Sequence, residues 1–257
     1  MGQNIMLTGM VLSAAPVGEY DRRVTLLTRE RGKISAFARG ARRPGSQLMA
    51  AGSPFSFGKF EVYEGRSSYS IGKAEISNYF RELAEDVANA CYGFYFLEVA
   101  DYYARENTDE IHMLKLLYQS LRALEKESLG NRLVRRVFEL KAMAINGEGP
   151  NVFSCLSCGS EEGLPWFHVR RGGTLCGNCL KGGKAVPLDA SALYAMQFIL
   201  TSSIEKLYTF TLSEQALCSL EQVLDEYMGF YVDRRFHALK VLEENLMFAA
   251  QAAGKDI

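Results

Sequence analysis

No apolar run in this sequence approaches the roughly 18 residues that a membrane-spanning helix requires, so no membrane segment is expected. The opening Met1-Gly2-Gln3-Asn4 carries no basic stretch, which leaves no sign of a secretory signal. Histidine is scarce. His112, His168 and His237 are the whole supply, and each reads as structural or exposed and not as a proton shuttle. Gly-x-x-x-x-Gly-Lys-Ser/Thr is missing, as are Gly-x-Ser-x-Gly and the pairing of His-x-Glu with Pro-Cys-x-x-Cys. NTPase, hydrolase and zinc-deaminase chemistry therefore find no support. There is no internal repeat and no low-complexity segment. The acidic pairs Asp225-Glu226 and Glu243-Glu244 fall on predicted helices and read as solvated faces, although carboxylates alone can assemble a magnesium site.

What is present suits a globular chain with a sizeable core. At 257 residues, 48% hydrophobic and 23% charged, it exceeds one average domain, and two or three compact units are expected. Cys91 and Cys218 stand alone while the other four cysteines are paired, which fits a reducing, cytoplasmic compartment. The net charge of −1 hides an asymmetry. Residues 1–80 hold 11 Lys/Arg against 6 Asp/Glu, whereas residues 189–257 hold 5 against 10. A polyanion would be drawn to the basic front.

The paired cysteines are the most specific signal. Cys155-Leu156-Ser157-Cys158 and Cys176-Gly177-Asn178-Cys179 each have the C-x-x-C spacing of a tight knuckle that aims two thiolates at one point. Two such knuckles complete the four-sulfur shell of a structural zinc site. Gly159 lets the backbone turn away from the first. Between them, residues 165–170 read as a strand, Arg171-Gly172-Gly173 as a turn and Thr174-Leu175-Cys176 as the returning strand. The pattern is a zinc ribbon holding one Zn2+ through Cys155, Cys158, Cys176 and Cys179. Four sulfurs leave no open position for water or substrate, so this metal is expected to hold structure and do no chemistry.

The first 80 residues read as β. Ile34, Ala36 and Ala38 alternate with Lys33, Ser35 and Phe37, the period of a strand. Five short strands in this space suit a small closed barrel of oligonucleotide-binding (OB) type, with an SH3-like barrel fitting almost as well. From Tyr79 the period becomes helical. Val87, Cys91 and Phe94 form one stripe, Ile111, Leu114, Leu117, Leu121 and Leu124 a second, and Leu133, Val137, Leu140 and Ala144 a third. Past the cysteines, Leu193, Met196 and Leu200 mark a short helix. Ser213 is a candidate N-cap for the next, and a last helix runs from about Phe236 to Ala250. The fold class is thus multidomain α+β. It comprises an OB-type barrel over 1–80, a first helical part over 81–150, the ribbon over 151–188 and a second helical part over 189–257.

Arg39-Gly40-Ala41-Arg42-Arg43-Pro44-Gly45-Ser46 carries three arginines out of the barrel together, with Lys33 before them and Arg22 and Arg23 in the first connection. Guanidinium groups bind phosphate bidentately, and a flexible loop can wrap a sugar-phosphate chain. Phe37, Phe57, Phe60 and Tyr69 either stack on bases or fill the barrel. The aromatic helix around Phe94, Tyr95, Phe96 and Tyr102 reads as the hub of a helical core.

These segments together resemble the RecO family of bacterial recombination mediators. The likeness rests on Thr28-Arg29-Glu30-Arg31-Gly32-Lys33-Ile34-Ser35-Ala36-Phe37-Ala38-Arg39-Gly40-Ala41-Arg42-Arg43, on the two knuckles with Gly159, and on His237-Ala238-Leu239-Lys240. The order of barrel, helices, inserted ribbon and returning helices is similar too, over nearly the whole chain. Arg39 stands where the family often has lysine, which keeps the charge. Val241 stands where a serine commonly follows the lysine, which weakens the C-terminal motif. The resemblance implies binding of single- and double-stranded DNA, strand annealing, and cooperation with RecR. It also implies contact with single-strand DNA-binding protein so that RecA is loaded on gapped DNA, a nucleoid-associated role without enzymatic activity. The DNA contacts would fall to Lys33, Arg39, Arg42 and Arg43, with Arg22 and Arg23 beside them. Two other classes compete: a zinc-ribbon scaffold whose basic loop engages an acidic protein, and a metal-dependent nuclease.

Overall fold

The computed structural model describes residues 3–66, 68–126, 128–180 and 185–253. The chain forms two compact units, residues 1–125 with 236–257, and residues 126–235. None of the described helices is long and apolar enough to cross a membrane.

The first unit opens with strands β1 (Gln3–Val17), β2 (Asp21–Thr28), β3 (Gly32–Ala38), β4 (Phe57–Glu64) and β5 (Tyr69–Asn78). They close into a barrel in the order β1-β2-β3-β5-β4, with β3 and β5 parallel and every other pair antiparallel. This is the OB arrangement, and the SH3-like alternative lapses. Closure depends on the length of β1. Its first half pairs with β4 and its second half with β2, and Gly9 is registered with both Gly58 and Thr28. Backbone is packed so closely there that a Cβ on Gly9 would sit 2.4 Å from the Leu27 carbonyl oxygen, and one on Gly58 2.2 Å from that of Glu75. Only glycine fits at this crossing.

Alternation then sorts the side chains. Ile34, Ala36 and Ala38 are buried with Leu7, Val24, Leu26, Phe60 and Val62 inside the barrel, while Ser35 is exposed and Phe37 half-buried outside. Burying each larger aliphatic or aromatic side chain contributes about 1.5–3 kcal/mol, so the inward face fixes the register.

The same unit holds helices α1 (Arg81–Glu85), α2 (Val87–Tyr103) and α3 (Ile111–Leu124). The second stripe, on α3, lies inward from Leu114 to Leu124, with Ile111 38% exposed at its start. The first stripe is turned outward. Val87 is 69% and Phe94 43% exposed, and α2 instead buries Tyr92, Tyr95, Phe96, Val99 and Tyr103. The residues from Tyr92 to Leu97 are apolar or aromatic nearly all round, so spacing alone cannot choose the inward face. The helix is nonetheless an aromatic hub. Tyr95 and Tyr102 meet Phe236 at ring-centroid distances of 5.5 and 5.9 Å. Phe236 leads into the final helix, numbered α7 (His237–Ala253), whose Ala238 N–H donates to the Glu98 carboxylate of α2 at 3.1 Å.

The second unit contains α4 (Asn131–Ile145), the small sheet of β6 (Trp166–His168), β7 (Gly173–Leu175) and β8 (Val186–Pro187), then α5 (Ala190–Thr201) and α6 (Glu214–Tyr231). The third stripe is buried through Leu133, Val137 and Leu140. Ser213 caps α6 as its sequence suggests, its Oγ accepting from the Ala216 N–H at 3.3 Å. A feature that sequence did not disclose sits between α4 and α6. Arg135, Arg136 and Glu139 are 9%, 4% and 1% exposed. Glu139 accepts from Arg135 at 2.7 Å and from Arg136 at 2.9 Å, and Asp225 pairs with Arg136 at 2.7 Å. Asp225 is therefore more than part of a solvated face: it completes the neutralisation of two buried guanidiniums.

Candidate functional site

The cysteine centre is built by the ribbon. Strands β6 and β7 pair from Trp166↔Leu175 to His168↔Gly173, with a single turn of 3-10 helix, Val169–Arg171, between them and Gly172 at φ +64°. The second knuckle follows β7 directly. The first is carried in by residues 151–154. Asn151 exchanges backbone hydrogen bonds with Gly172 and Thr174, and the Leu156 N–H donates to the Thr174 carbonyl at 2.9 Å. Arg171 then holds the knuckle from outside, donating to the Leu156 carbonyl at 2.9 Å and the Ser157 hydroxyl at 3.1 Å. Gly159, at φ +76°, closes the first knuckle with an N–H bond of 2.9 Å to the Cys155 carbonyl.

Held this way, the Sγ atoms of Cys155, Cys158, Cys176 and Cys179 all lie within 4.8 Å of one another. The donor set can be tested for fit. Metal–sulfur bonds of about 2.3 Å put tetrahedral sulfurs about 3.8 Å apart, and Cys158 and Cys176 are 3.7 Å apart. The site is polarised as well. The Cys176 backbone N–H draws the Cys155 thiol down to about 6, which makes it a thiolate at neutral pH. Hydrogen bonds from Cys158 and Cys176, with burial and that thiolate, push Cys179 up to about 12. Sulfur anions crowded so closely resist further ionisation unless a cation is shared among them. His168 is not among the ligands; its Nδ1 accepts from the Arg171 N–H at 3.4 Å.

The basic residues of the first unit are distributed less simply. Lys33 donates to the Asp101 carbonyl at 2.5 Å and pairs with its carboxylate at 3.2 Å, so its charge is spent near the α2 C-terminus. Arg22 donates to the Gly52 carbonyl and shapes the loop after β3. That loop is anchored to the β1–β2 turn. Gly40 N–H donates to Asp21 at 2.7 Å, Arg42 N–H to the Tyr20 carbonyl at 2.9 Å, and Ala41 is 1% exposed. Arg39, Arg42 and Arg43 remain exposed around it. Arg42 reaches the Gly18 carbonyl at 3.2 Å, Arg43 lies over the Tyr20 ring at 4.9 Å, and Arg39 has no hydrogen-bond or ion-pair partner among the described residues.

Arg23 is exposed on β2 and registered with Phe37 on β3, which is registered in turn with Ser70 on β5. This row borders a cleft of about 540 Å³ in which Phe37 and Tyr69 supply the aromatic surface. The other two aromatics go elsewhere. Phe60 is fully buried in the barrel, and Phe57 packs on Tyr118 at 4.8 Å. The far lip of the cleft comes from the α2–α3 connection, through Glu106 and Asn107. That connection is pinned to the β2–β3 turn by Lys33 N–H to the Arg105 carbonyl at 2.8 Å and Asn107 N–H to the Arg31 carbonyl at 2.9 Å. Sequence reading missed both lip residues. Their only local signal is a polar break between two helical stripes, and that says nothing of the strand it docks on.

Comparison with known proteins agrees with this layout. Residues 1–80 match the family model described as recombination protein O N terminal, and residues 84–240 the one described as recombination protein O C terminal. The chain is 30% identical over 243 residues to the DNA repair protein RecO of Alkaliphilus metalliredigens, covering 93% of this chain and 99% of that protein. It is 32% identical over 240 residues to that of Symbiobacterium thermophilum, covering 91% and 95%. For the RecO of Bacillus subtilis the figures are 29% over 234 residues, 89% and 91%.

Proposed function

The chain belongs to the RecO family of DNA repair proteins, and from that premise we propose that it is a non-enzymatic recombination mediator that holds DNA strands on its basic barrel face. The observation that carries this reading is the trio Arg39, Arg42 and Arg43, exposed on an anchored loop beside Arg23. Guanidiniums presented on a rigid platform lose little entropy when they fork onto phosphates. Lys33 and Arg22, already engaged within the fold, set the loop and the α2–α3 connection in place.

Bound through its phosphates, single- or double-stranded DNA releases counterions, and two strands with neutralised backbones can approach and anneal. RecR, single-strand DNA-binding protein and, indirectly, the RecA filament are the partners such a mediator serves, acting in the cytoplasm on the nucleoid. The four-sulfur centre takes zinc. All-thiolate tetrahedral sets favour that metal, and a closed shell confines it to structure. A gel shift with single-stranded DNA at two salt concentrations tests the reading. Binding at low salt that weakens steeply as salt rises supports it; absence of any shift in dilute buffer refutes it.

A further inference from the structure

The cleft on the barrel face carries little net charge. Arg23 and Arg66 stand against Glu64 and Glu106 in its lining, and with Arg31, paired to Glu64 at 3.2 Å, the balance is a single positive charge. A phosphate therefore gains less there than at the arginine loop, and a cationic ligand is opposed by two guanidiniums. What the cleft offers is flat aromatic surface and hydrogen-bond acceptors. Its volume of about 540 Å³ falls in the range that takes small ligands, roughly 300–1,000 Å³.

The acceptors are fixed in place. The Tyr69 hydroxyl donates to Glu106 Oε1 at 3.0 Å and lies 3.3 Å from Glu64 Oε1, which orients both the ring and the carboxylates. Burial, followed by hydrogen bonding and the charge of Glu106 and Glu64, pushes the phenol up to about 12, so it remains a donor at any physiological pH. The second oxygen of Glu106 makes no hydrogen bond among the described residues. Its backbone cannot drift, since Arg105 and Asn107 on either side are bonded to the β2–β3 turn.

We propose that this cleft takes one unstacked nucleobase of a bound single strand, and that Glu106 makes it prefer a base with an exocyclic amine over one with a carbonyl at that position. The inference rests on the nucleic-acid reading above. Phe37 and Tyr69 provide the stacking faces, which are indifferent to base identity. Glu106 is not indifferent. Its carboxylate accepts from the N4 amine of cytosine, whereas the O4 of uracil in the same place sets acceptor against acceptor.

The test compares oligo(dC) with oligo(dU), about 15 nucleotides long to span one OB fold, by fluorescence anisotropy at pH 8 with the full chain. The two backbones are identical, so phosphate terms cancel, and any difference in stacking between the bases is read from the Glu106→Gln variant, where it persists. The wild type should bind oligo(dC) roughly three- to tenfold more tightly, the worth of one good hydrogen bond. Glu106→Gln, at an exposed position, should bring the two within about twofold and leave the salt dependence untouched. Equal affinities in the wild type, or a preference that survives Glu106→Gln, overturn the inference while the DNA reading stands. Failure of both strands to bind in dilute buffer overturns the two together.

Discussion

Replacing Arg39, Arg42 and Arg43 together by alanine isolates the arginine loop from the rest of the basic face. Each guanidinium on one phosphate contributes about −0.7 to the slope of log affinity against log salt for a single strand. Three lost contacts should thus flatten the slope by about 2. Between 50 and 200 mM salt, the wild type should then lose about 15- to 20-fold more affinity than the triple variant does. Folding should survive the change, because the contacts removed are slight: the Arg42 bond to the Gly18 carbonyl and the Arg43 guanidinium over Tyr20, the latter worth about 0.5–1 kcal/mol at an exposed site. Anisotropy titrations at four or five salt concentrations measure the slope, and thermal unfolding confirms the fold. A parallel Arg→Lys triple variant keeps the charge and should keep the slope, while losing some affinity with the bidentate geometry. An alanine variant whose slope equals that of the wild type would remove the loop from DNA binding.

The ribbon supplies its own reporter, since Trp166 is the single tryptophan of the chain and packs against the cluster of Cys155, Leu164, Leu175 and Cys176. If the four sulfurs hold zinc as proposed, chelation should shift the Trp166 emission to the red as the ribbon opens, and the barrel's affinity for single strands should be retained. Metal release with an unchanged Trp166 spectrum would show that the fold of the ribbon does not need the ion. In the second unit, Glu139→Ala removes the carboxylate shared by two buried guanidiniums, leaving Asp225 opposite both, and should cost about 3–5 kcal/mol by urea unfolding. The triple variant Arg135→Leu, Arg136→Met, Glu139→Leu should cost less than that single change, because no uncompensated buried charge remains. A triple variant that costs as much as Glu139→Ala or more would show that uncompensated buried charge is not the source of the loss.

The parts of this molecule that were legible in its sequence are those whose physics is local. A C-x-x-C knuckle needs only its own four residues, and both were readable down to the glycine after the first. Ile34, Ala36 and Ala38 alternate over a span too short to mistake, and Ser213 announces the start of α6 by bonding three residues ahead. The order of the strands was legible only by analogy. Nothing within β3 or β5 says that they run side by side in parallel; the pairing follows from closing a five-stranded sheet around its own apolar face.

Charge was the least legible property, and for one reason throughout. A sequence counts cations but does not say which the fold consumes. Lys33 and Arg22 look as free as Arg39 in the sequence, yet each is claimed by a carbonyl brought from elsewhere in the chain, 68 and 30 residues away. Arg135 and Arg136 look like solvent-facing charges on a helix, yet they lie beneath α6 and need Asp225, some ninety residues on, to be neutral. Glu106 carries the reverse lesson. It sits in an unremarkable connection between helices and becomes part of a cleft only because Arg31 and Lys33 bond its neighbours to the barrel. A site assembled from one segment can be read before folding. One assembled by tertiary hydrogen bonds exists only after it, and so the run of arginines from Arg39 to Arg43 is readable in the sequence, while its anchoring to the β1–β2 turn and the cleft beside β3 are not.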